Sequence, residues 1–178
     1  MAPRPLNPTA ASLLGFLHDG PQSGWDLVET ARLRIGGFWT LTRSQVYREL
    51  AALADAGLVT VGPPGPRDRR PHTLTNAGRQ AFAAWLEAGP DDETIRVPLL
   101  LTVTFGRHLD RARRVEILSE QRARREDRLD GYRRLAAAFD EDEPGDPYAR
   151  ATVAFGIAYE EAALAWFDAL PPEVSGQG

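Results

Sequence analysis

The chain has 178 residues, a formal net charge of −4 at pH 7 and no cysteine, which excludes disulfides, thiolate nucleophiles and thiolate metal sites. This length is enough for one large or two small domains that bury a core. The N-terminal apolar segment is too short for a membrane span or a secretory signal, so we expect a cytoplasmic protein without a membrane partner.

The charges are distributed unevenly along the chain. Through Glu87 there are nine arginines and seven acidic residues, a balance of +2, which leaves −6 for the remainder. A basic N-terminal part and an acidic C-terminal part favour a DNA-facing module joined to a part that stays away from phosphates. All 21 basic residues are arginine, which is typical of a GC-rich coding sequence and favours a bacterial source.

Two helices are predicted at the start of the chain. Asn7 suits the N-cap of the first helix, and Pro8 its first position, where a missing N–H costs nothing. The pair 20–21, Gly-Pro, ends this helix. Ser23 begins the second helix, which Gly-Gly at 36–37 ends. Both segments carry apolar residues at helical spacing.

The third helix is the candidate for DNA recognition. Thr42 and Gln45 have the spacing of a capping box, and Gly57 suits the C-terminal end. Polar residues that include Ser44 and Arg48 crowd the first turns of its outer face, and small alanines follow. A helix that enters the major groove N-terminus first needs this arrangement, because its leading residues contact bases and its later ones must not clash.

A β-hairpin follows the recognition candidate. Its predicted strands are 58–61 and 72–74, and the loop between them carries Arg67, Arg69 and Arg70. Thr75 then caps a fourth helix. Helix, hairpin and arginine-bearing loop together predict a winged helix-turn-helix DNA-binding domain over residues 1–88. The alternative is an ordinary α+β domain whose loop arginines are only solvated.

Residues 89–97 are predicted as a linker and 98–178 as a helical dimerisation domain. The segment from Pro98 suits a helix, although 102–104 also suit a strand. A long helix runs from Asp110 to about Asp140, with apolar residues alternating three and four apart as in a coiled coil. Arg122 and Arg125 interrupt this pattern, so either they fix the register of a helix seam or the middle of the helix lies in solvent.

The last helix, from Tyr148 to about Ala169, carries two apolar stripes. The first consists of Val153, Ile157, Leu164 and Phe167, and the second of Phe155, Tyr159, Ala162 and Trp166. A helix apolar on two sides is normally buried on two sides. One side suits the long helix and the other a second copy of the chain, which predicts a homodimer. The alternative is that the winged domain covers the second side.

Catalysis is not expected. His18, His72 and His108 lie far apart without the spacing of metal ligands, and there is no glycine-rich phosphate loop or nucleophile motif. We therefore expect no catalytic residue, no metal site and no cofactor.

Several strings of the chain match a known family. They are LLGFLHDGPQSGWDL, GGFWTLTRSQVYREL, LADAGLV, GPRDRRPHTLTNAGR, AFAAWL, TFGRHL and FGIAYEEAALAWF. In order and spacing they resemble the PadR family of transcriptional regulators, in its branch with a long helical C-terminal domain. The resemblance implies a mainly α fold with a small β-hairpin wing, and a dimeric repressor of nearby genes whose effectors are small aromatic or phenolic molecules. Arg48 stands where many members have proline, and His72 where many have tyrosine, so the operator sequence cannot be carried over.

Position and resemblance together give the candidate site residues. The predicted DNA-binding residues are Thr42, Arg43, Ser44, Gln45, Tyr47, Arg48, Arg67, Arg69 and Arg70. The Tyr47 hydroxyl suits a phosphate oxygen, and Arg48 suits a guanine edge. The alternatives are a Tyr47 ring packed at the helix edge and an ion pair of Arg48 with Asp55 or Glu49. The predicted effector-binding residues are Trp39, Trp85, Tyr159 and Trp166, with core packing as the alternative.

The predicted partner is double-stranded DNA. A homodimer would place two recognition helices about 34–36 Å apart, or a multiple of that, on a pseudo-palindromic operator. Two other interpretations remain. One is a MarR-like regulator, although its dimerising helices would come from both chain ends and the arm before Pro8 is short. The other is a winged-helix module that binds proteins and not DNA.

Overall fold

A computed structural model describes residues 6–90, 92, 95–141 and 146–176, with the side chains of 140 and 141 left aside. Within these ranges the fold class is the predicted one, mainly helical with a small antiparallel sheet. The helices are α1 Pro8–Phe16, α2 Gly24–Arg34, α3 Arg43–Asp55, α4 Asn76–Ala88, α5 Pro98–Thr104, α6 Arg111–Glu141, α7 Pro147–Asp168 and α8 Pro172–Ser175. The strands are β1 Gln22–Ser23, β2 Val59–Val61 and β3 Pro71–Leu74, and 3₁₀ turns occupy Leu17–Asp19, Pro66–Asp68 and Gly106–His108.

The predicted helix starts are confirmed by their caps. The side chains of Asn7, Ser23, Thr42 and Thr75 each accept a hydrogen bond from a backbone N–H in the first turn of the following helix. Ser23 and Thr42 form complete capping boxes. Each such cap contributes roughly 1 kcal/mol, so local sequence accounts for where α1 to α4 begin.

Contacts divide the chain into two compact units, Met1–Asp92 and Glu93–Gly178. The first unit surrounds a core of fully buried leucines and valine from α1, the 3₁₀ turn after it, α2 and α3. Its largest members are Leu13, Leu14, Leu17, Leu27, Leu50 and Val46. Gly78 brings α4 onto the backbone of the wing, because a Cβ there would lie 2.2 Å from the carbonyl oxygen of Leu58.

The sheet contains a strand that the sequence analysis did not predict. Its order is β1-β3-β2, so the two-residue strand β1 pairs with the far side of the wing hairpin. Ser23 lies opposite Pro71, and Gln22 lies opposite His72. A strand of two residues is too short to give an alternating pattern. Because β1 pairs with β3, the N-terminus of α2 lies beside the wing.

The second unit is built on α6 and α7, which pack along one another. Leu118 and Leu129 of α6, and Val153 and Phe167 of α7, are buried there. The segment 98–104, for which helix and strand were both open, is helical. Gly156 of α7 is a point of close approach, since a Cβ there would lie 2.6 Å from the Tyr132 ring.

The arginines that interrupt the α6 pattern pair with acids of α7. Arg125, with 16% of its side chain exposed, donates from Nη1 to Oε2 of Glu160 at 3.0 Å. Arg128 donates from Nε to Oε1 of the same carboxylate at 2.7 Å. Arg122 is more exposed and donates to Asp168 at 2.6 Å. The arginines that interrupt the apolar pattern of α6 therefore face α7, and two of them contact the Glu160 side chain, which is only 3% exposed.

Candidate nucleic-acid interface

The outer face of α3 is open. Arg43, Ser44 and Arg48 are exposed, and Ala51 and Ala52 are exposed after them along the helix. The polar start and small-residue continuation predicted for this helix therefore coincide with its accessible side. Small side chains let a surface approach the helix closely, and the polar groups at its start are those that can reach an edge of a base pair.

Two of the predicted contact residues are occupied within the protein. Gln45 Oε1 accepts hydrogen bonds from the backbone N–H and the hydroxyl of Thr42, both at 2.9 Å. The hydroxyl of Thr42 in turn accepts from the backbone N–H of Gln45 at 3.2 Å. These bonds form the capping box that fixes the first turn of α3, so both side chains set the direction in which Arg43 and Ser44 project.

Tyr47 has features of both interpretations that the sequence left open. Its ring packs against the start of α2, because a Cβ on Gly24 would lie only 2.8 Å from Cε1 of Tyr47. The residue nevertheless stays 48% exposed. A ring held on one side by backbone and open on the other gives the phenol a fixed position at the surface.

Arg48 forms the ion pair that was foreseen as its alternative role. Its Nη2 lies 3.5 Å from Oε1 of Glu49, while 69% of the Arg48 side chain is exposed. Glu49 is itself buried and accepts a hydrogen bond from Nδ2 of Asn7 at 3.0 Å. A long contact to such an exposed guanidinium is worth little, so it does not hold Arg48 away from a ligand.

The wing tip contains a strained turn. Arg67 and Asp68 both have left-handed backbone conformations, with φ of 60° and 56°. Such conformations cost on the order of 1–3 kcal/mol each for residues other than glycine. The backbone N–H of Gly65 donates to the carbonyl oxygen of Arg69 at 2.8 Å and closes the turn. Arg67 and Arg70 are exposed around it.

Arg69 differs from the other two wing arginines. Its guanidinium carbon lies 4.2 Å from the ring centroid of Trp25, and its Nη1 lies 3.7 Å from Oδ1 of Asp26. Both partners belong to the first turn of α2, which β1 places beside the wing. Neither contact could be predicted from the sequence, because nothing in the local pattern links positions 25 and 69.

The four predicted effector residues belong to two units. Trp39 is 39% exposed after α2, and Trp85 on α4 stacks with Phe82 at 6.4 Å between ring centroids. Tyr159 and Trp166 lie in the second unit, where they line a cavity of about 310 Å³. A single pocket containing all four residues is therefore not assembled within either unit.

The cavity combines apolar walls with one cation. Its lining consists of Val97, Leu99, Leu100, Arg125, Tyr159, Ala162, Ala163, Trp166 and Phe167. The guanidinium carbon of Arg125 lies 5.2 Å from the centroid of the Tyr159 ring. Such a lining suits a small aromatic molecule that carries an acidic group.

The described residues contain neither a metal-binding cluster nor a membrane-spanning helix. In ranges 6–90, 92, 95–141 and 146–176, no group of three or more His, Cys, Asp or Glu side chains is arranged to hold a metal ion. None of the helices in these ranges is both long and apolar enough to cross a membrane.

Two family models match the chain. The model of the Transcriptional regulator PadR-like family matches residues 13–84, and the model described as Virulence activator alpha C-term matches residues 95–171. The Negative transcriptional regulator PadR of Bacillus subtilis (strain 168) is 30% identical over an alignment of 135 residues that covers 71% of this chain and 74% of that protein.

Solved structures show the same fold. Bacillus subtilis PadR in complex with operator DNA has a TM-score of 0.72 and 25% identity, with 89% of this chain and 94% of that chain covered. The PadR-like regulator BC1756 from Bacillus cereus has a TM-score of 0.80 over 96% and 99% of the two chains, and at 16% identity it shows the fold alone. Bacillus subtilis PadR in complex with p-coumaric acid has a TM-score of 0.71 at 23% identity, over 95% of this chain and 98% of that one.

One family model covers most of the wing-bearing unit and the other covers most of the helical unit. A family of transcriptional regulators agrees with the expectation that the chain is not an enzyme. The chain belongs to the PadR-like family of transcriptional regulators.

Proposed function

We propose that this regulator is a homodimer that binds a pseudo-palindromic operator near its own gene and represses transcription by occluding a promoter. The observation that carries the proposal is the exposed face of α3, where Arg43, Ser44 and Arg48 precede exposed alanines. The similar Bacillus subtilis protein, whose structure is known with operator DNA, supports it.

The proposed DNA-facing surface consists of the predicted residues of α3 and the wing, with roles divided by their contacts. Arg43, Ser44 and Arg48 project from α3 and are suited to bases or phosphates. Arg67 and Arg70 project from the wing tip and are suited to phosphates or a minor groove. Thr42 and Gln45 orient the first turn of α3, and Tyr47 offers its half-exposed ring edge to the backbone of the duplex.

The proposed dimer uses the aromatic stripe of α7. Phe155 is 64% exposed and Tyr159 is 46% exposed, and their rings stack with centroids 6.3 Å apart. On α5, Leu101 is 65% exposed. Several exposed apolar side chains on one helical unit are typical of an interface. A second copy of the chain offers the same surface in return.

The proposed effector is a small aromatic acid bound in the cavity of the second unit. Tyr159 and Trp166 supply aromatic walls. Arg125 shares the single carboxylate of Glu160 with Arg128, so the cluster keeps a net positive charge that suits a carboxylate of the ligand. The Bacillus subtilis protein in complex with p-coumaric acid is a precedent for this class of ligand. An effector relieves repression only if it binds one arrangement of the dimer more tightly than the other.

The test of DNA binding is a gel shift with the upstream region of the chain's own gene, at two salt concentrations and with excess non-specific competitor. We expect a retarded complex that Arg48→Ala weakens by about 1–3 kcal/mol, the worth of a good base contact. Arg124→Ala, which removes an equally exposed arginine from α6, is the matched control. Failure of the wild-type chain to shift any fragment would favour a protein-binding winged helix.

The dimer and the effector need separate measurements. Light scattering of the purified chain gives its mass, and a monomer at micromolar concentration would contradict the proposed interface. Titration of p-coumaric acid, followed by tryptophan emission, tests the cavity. We expect a saturable change in emission that Trp166→Leu abolishes. Trp85→Leu should keep this change, because Trp85 is absent from the cavity lining.

A further inference from the structure

We infer that Arg69 is a positioning residue: it holds the wing tip against α2 and so sets where Arg67 and Arg70 meet the duplex, and it is not itself a phosphate contact. The inference rests on the proposed function for its DNA consequences. Its structural part concerns the free protein and stands on contacts within the first unit.

Strand pairing brings the two partners together. Ser23 lies opposite Pro71 in the pairing of β1 with β3. Beyond this pair the chain runs into the first turn of α2 on one side and back into the wing tip on the other. Trp25 and Asp26 therefore lie beside Arg69 because of register, although 43 or more positions separate them in sequence.

The contact uses both properties of a guanidinium. The guanidinium carbon of Arg69 lies over the Trp25 ring, 4.2 Å from the centroid, and Nη1 lies 3.7 Å from Asp26 Oδ1. Asp26 is itself fixed, because its other oxygen accepts hydrogen bonds from the backbone N–H and hydroxyl of Ser23 at 3.2 and 2.6 Å. The acid that completes the α2 capping box is thus the acid that faces the wing.

The wing tip needs such a support. Arg67 and Asp68 hold consecutive left-handed conformations directly before Arg69. Residues with a Cβ adopt these only where the surroundings favour them. The turn is closed by the hydrogen bond from Gly65 N–H to the Arg69 carbonyl oxygen at 2.8 Å, so anchoring the side chain of Arg69 also anchors the acceptor of that bond.

The charge of Arg69 is already opposed. Arg69 is 35% exposed beside Asp26, whereas Arg70 is 55% exposed and lies 3.9 Å from the more exposed Asp68. A phosphate contact contributes about one unit to the slope of log K against log salt. We therefore expect Arg69 and Arg70 to differ in this slope while both affect affinity.

The first experiment is amide hydrogen exchange of the free full-length chain. We expect Arg69→Ala to speed exchange at Gly65, which donates to Arg69, while the core amides of α3 stay unchanged. Arg70→Ala is the matched control, with the same charge change in the same loop and no faster exchange at Gly65. Unchanged exchange at Gly65 in Arg69→Ala would overturn the inference, whether or not the chain binds DNA.

The second experiment measures operator affinity across salt concentrations. An exposed cation–π contact predicts a loss of about two- to fivefold for Arg69→Ala, with a salt slope within half a unit of the wild type. Arg70→Ala should lower the slope by about one unit. A full unit lost in Arg69→Ala would identify it as a phosphate contact and overturn the inference.

Substitutions of Trp25 separate positioning from a general loss of structure. Trp25→Phe keeps a ring face for the guanidinium and should keep wild-type affinity, whereas Trp25→Leu should lose affinity by no more than Arg69→Ala, which also removes the pairing with Asp26. The double variant of Trp25→Leu and Arg69→Ala should bind as Arg69→Ala alone does, because the contact with Trp25 is already lost in that variant. Additive losses would show independent roles and overturn the inference.

Discussion

The carboxylate of Glu160 offers the sharpest test of how α6 and α7 are held together. The Glu160 side chain is 3% exposed and accepts hydrogen bonds from Arg125 at 3.0 Å and from Arg128 at 2.7 Å. The substitution Glu160→Gln keeps the volume of the side chain and removes its charge. It leaves two guanidiniums facing each other without an acid between them.

The expected cost follows from the exposure of the two arginines. Removing one partner of a fully buried pair costs about 3–5 kcal/mol, because the remaining charge is uncompensated. Arg125 is 16% exposed and Arg128 is 40% exposed, so water relieves part of that penalty. We therefore expect a loss of about 2–3 kcal/mol in the free energy of unfolding.

The neighbouring residue supplies a matched control. Glu161 pairs with Arg133 at 2.9 Å, but both side chains are about half exposed, at 50% and 55%. A surface pair of this kind is worth about 0.2–1 kcal/mol, so Glu161→Gln should change stability little. The two variants share a helix, a chemistry and a change in net charge, and they differ in burial.

Thermal unfolding of the full chain at one fixed protomer concentration distinguishes the two variants, since dimerisation makes stability depend on concentration. For a chain of this size, 1 kcal/mol corresponds to roughly 2–4 °C in Tm. Glu160→Gln should therefore lower Tm by about 4–12 °C, and Glu161→Gln by less than about 4 °C. Equal Tm values for the two variants would refute the interior ionic cluster.

Two other predictions concern close approach and pH. Gly156→Ala should destabilise the protein by about 1–3 kcal/mol, because its Cβ would lie 2.6 Å from the Tyr132 ring. Gly131→Ala, whose Cβ has its nearest atom at 4.0 Å, should instead stabilise α6 by about 0.5–1 kcal/mol. Urea unfolding measures both changes in stability, and changes of the same sign would contradict the packing. Burial lowers the pKa of His72, and the backbone groups of Gln22 and Arg70 offset this in part. Since the unfolded chain then binds the proton more readily, stability is full above the ordinary pKa of about 6.5 and declines as the pH falls below it. His72→Gln should lose less Tm than the wild type between pH 7.5 and 5.5, and parallel curves would exclude His72 as the cause.

Sequence predicted the parts of this fold that local interactions determine. A cap and the N–H group it satisfies are three residues apart, so Asn7, Ser23, Thr42 and Thr75 could be found by inspection. The outer face of α3 follows from a helical period of 3.6 residues, and its exposed Ser44 lies where the period places it. The order of helices and hairpin then indicated a winged helix-turn-helix.

The features that sequence did not predict are contacts between distant positions. Arg69 meets Trp25 only because β1 joins the sheet, and a strand of two residues has no detectable periodicity. Glu160 stands next to the exposed Glu161, and both carry the same side chain. Glu160 lies between the helices against Arg125 and Arg128 of α6, whereas Glu161 pairs with the half-exposed Arg133 at the surface, and no pattern within α7 distinguishes these two positions.

The distribution of residues on α7 gives a physical argument for the proposed dimer. Its side facing α6 contains the charged Glu160, while its other side exposes Phe155 and Tyr159. Burying a charge inside and leaving aromatic rings in water is unfavourable on both sides for a helix pair that stands alone. Covering the aromatic stripe with the same stripe of a second chain removes apolar surface from water at about 25 cal/mol per Å². The ionic cluster lies between α6 and α7, where Glu160 is 2% exposed and a charged group is costly to misplace. That cost favours one register of α6 on α7, and a single register is what a regulator needs if two recognition helices are to keep a fixed spacing.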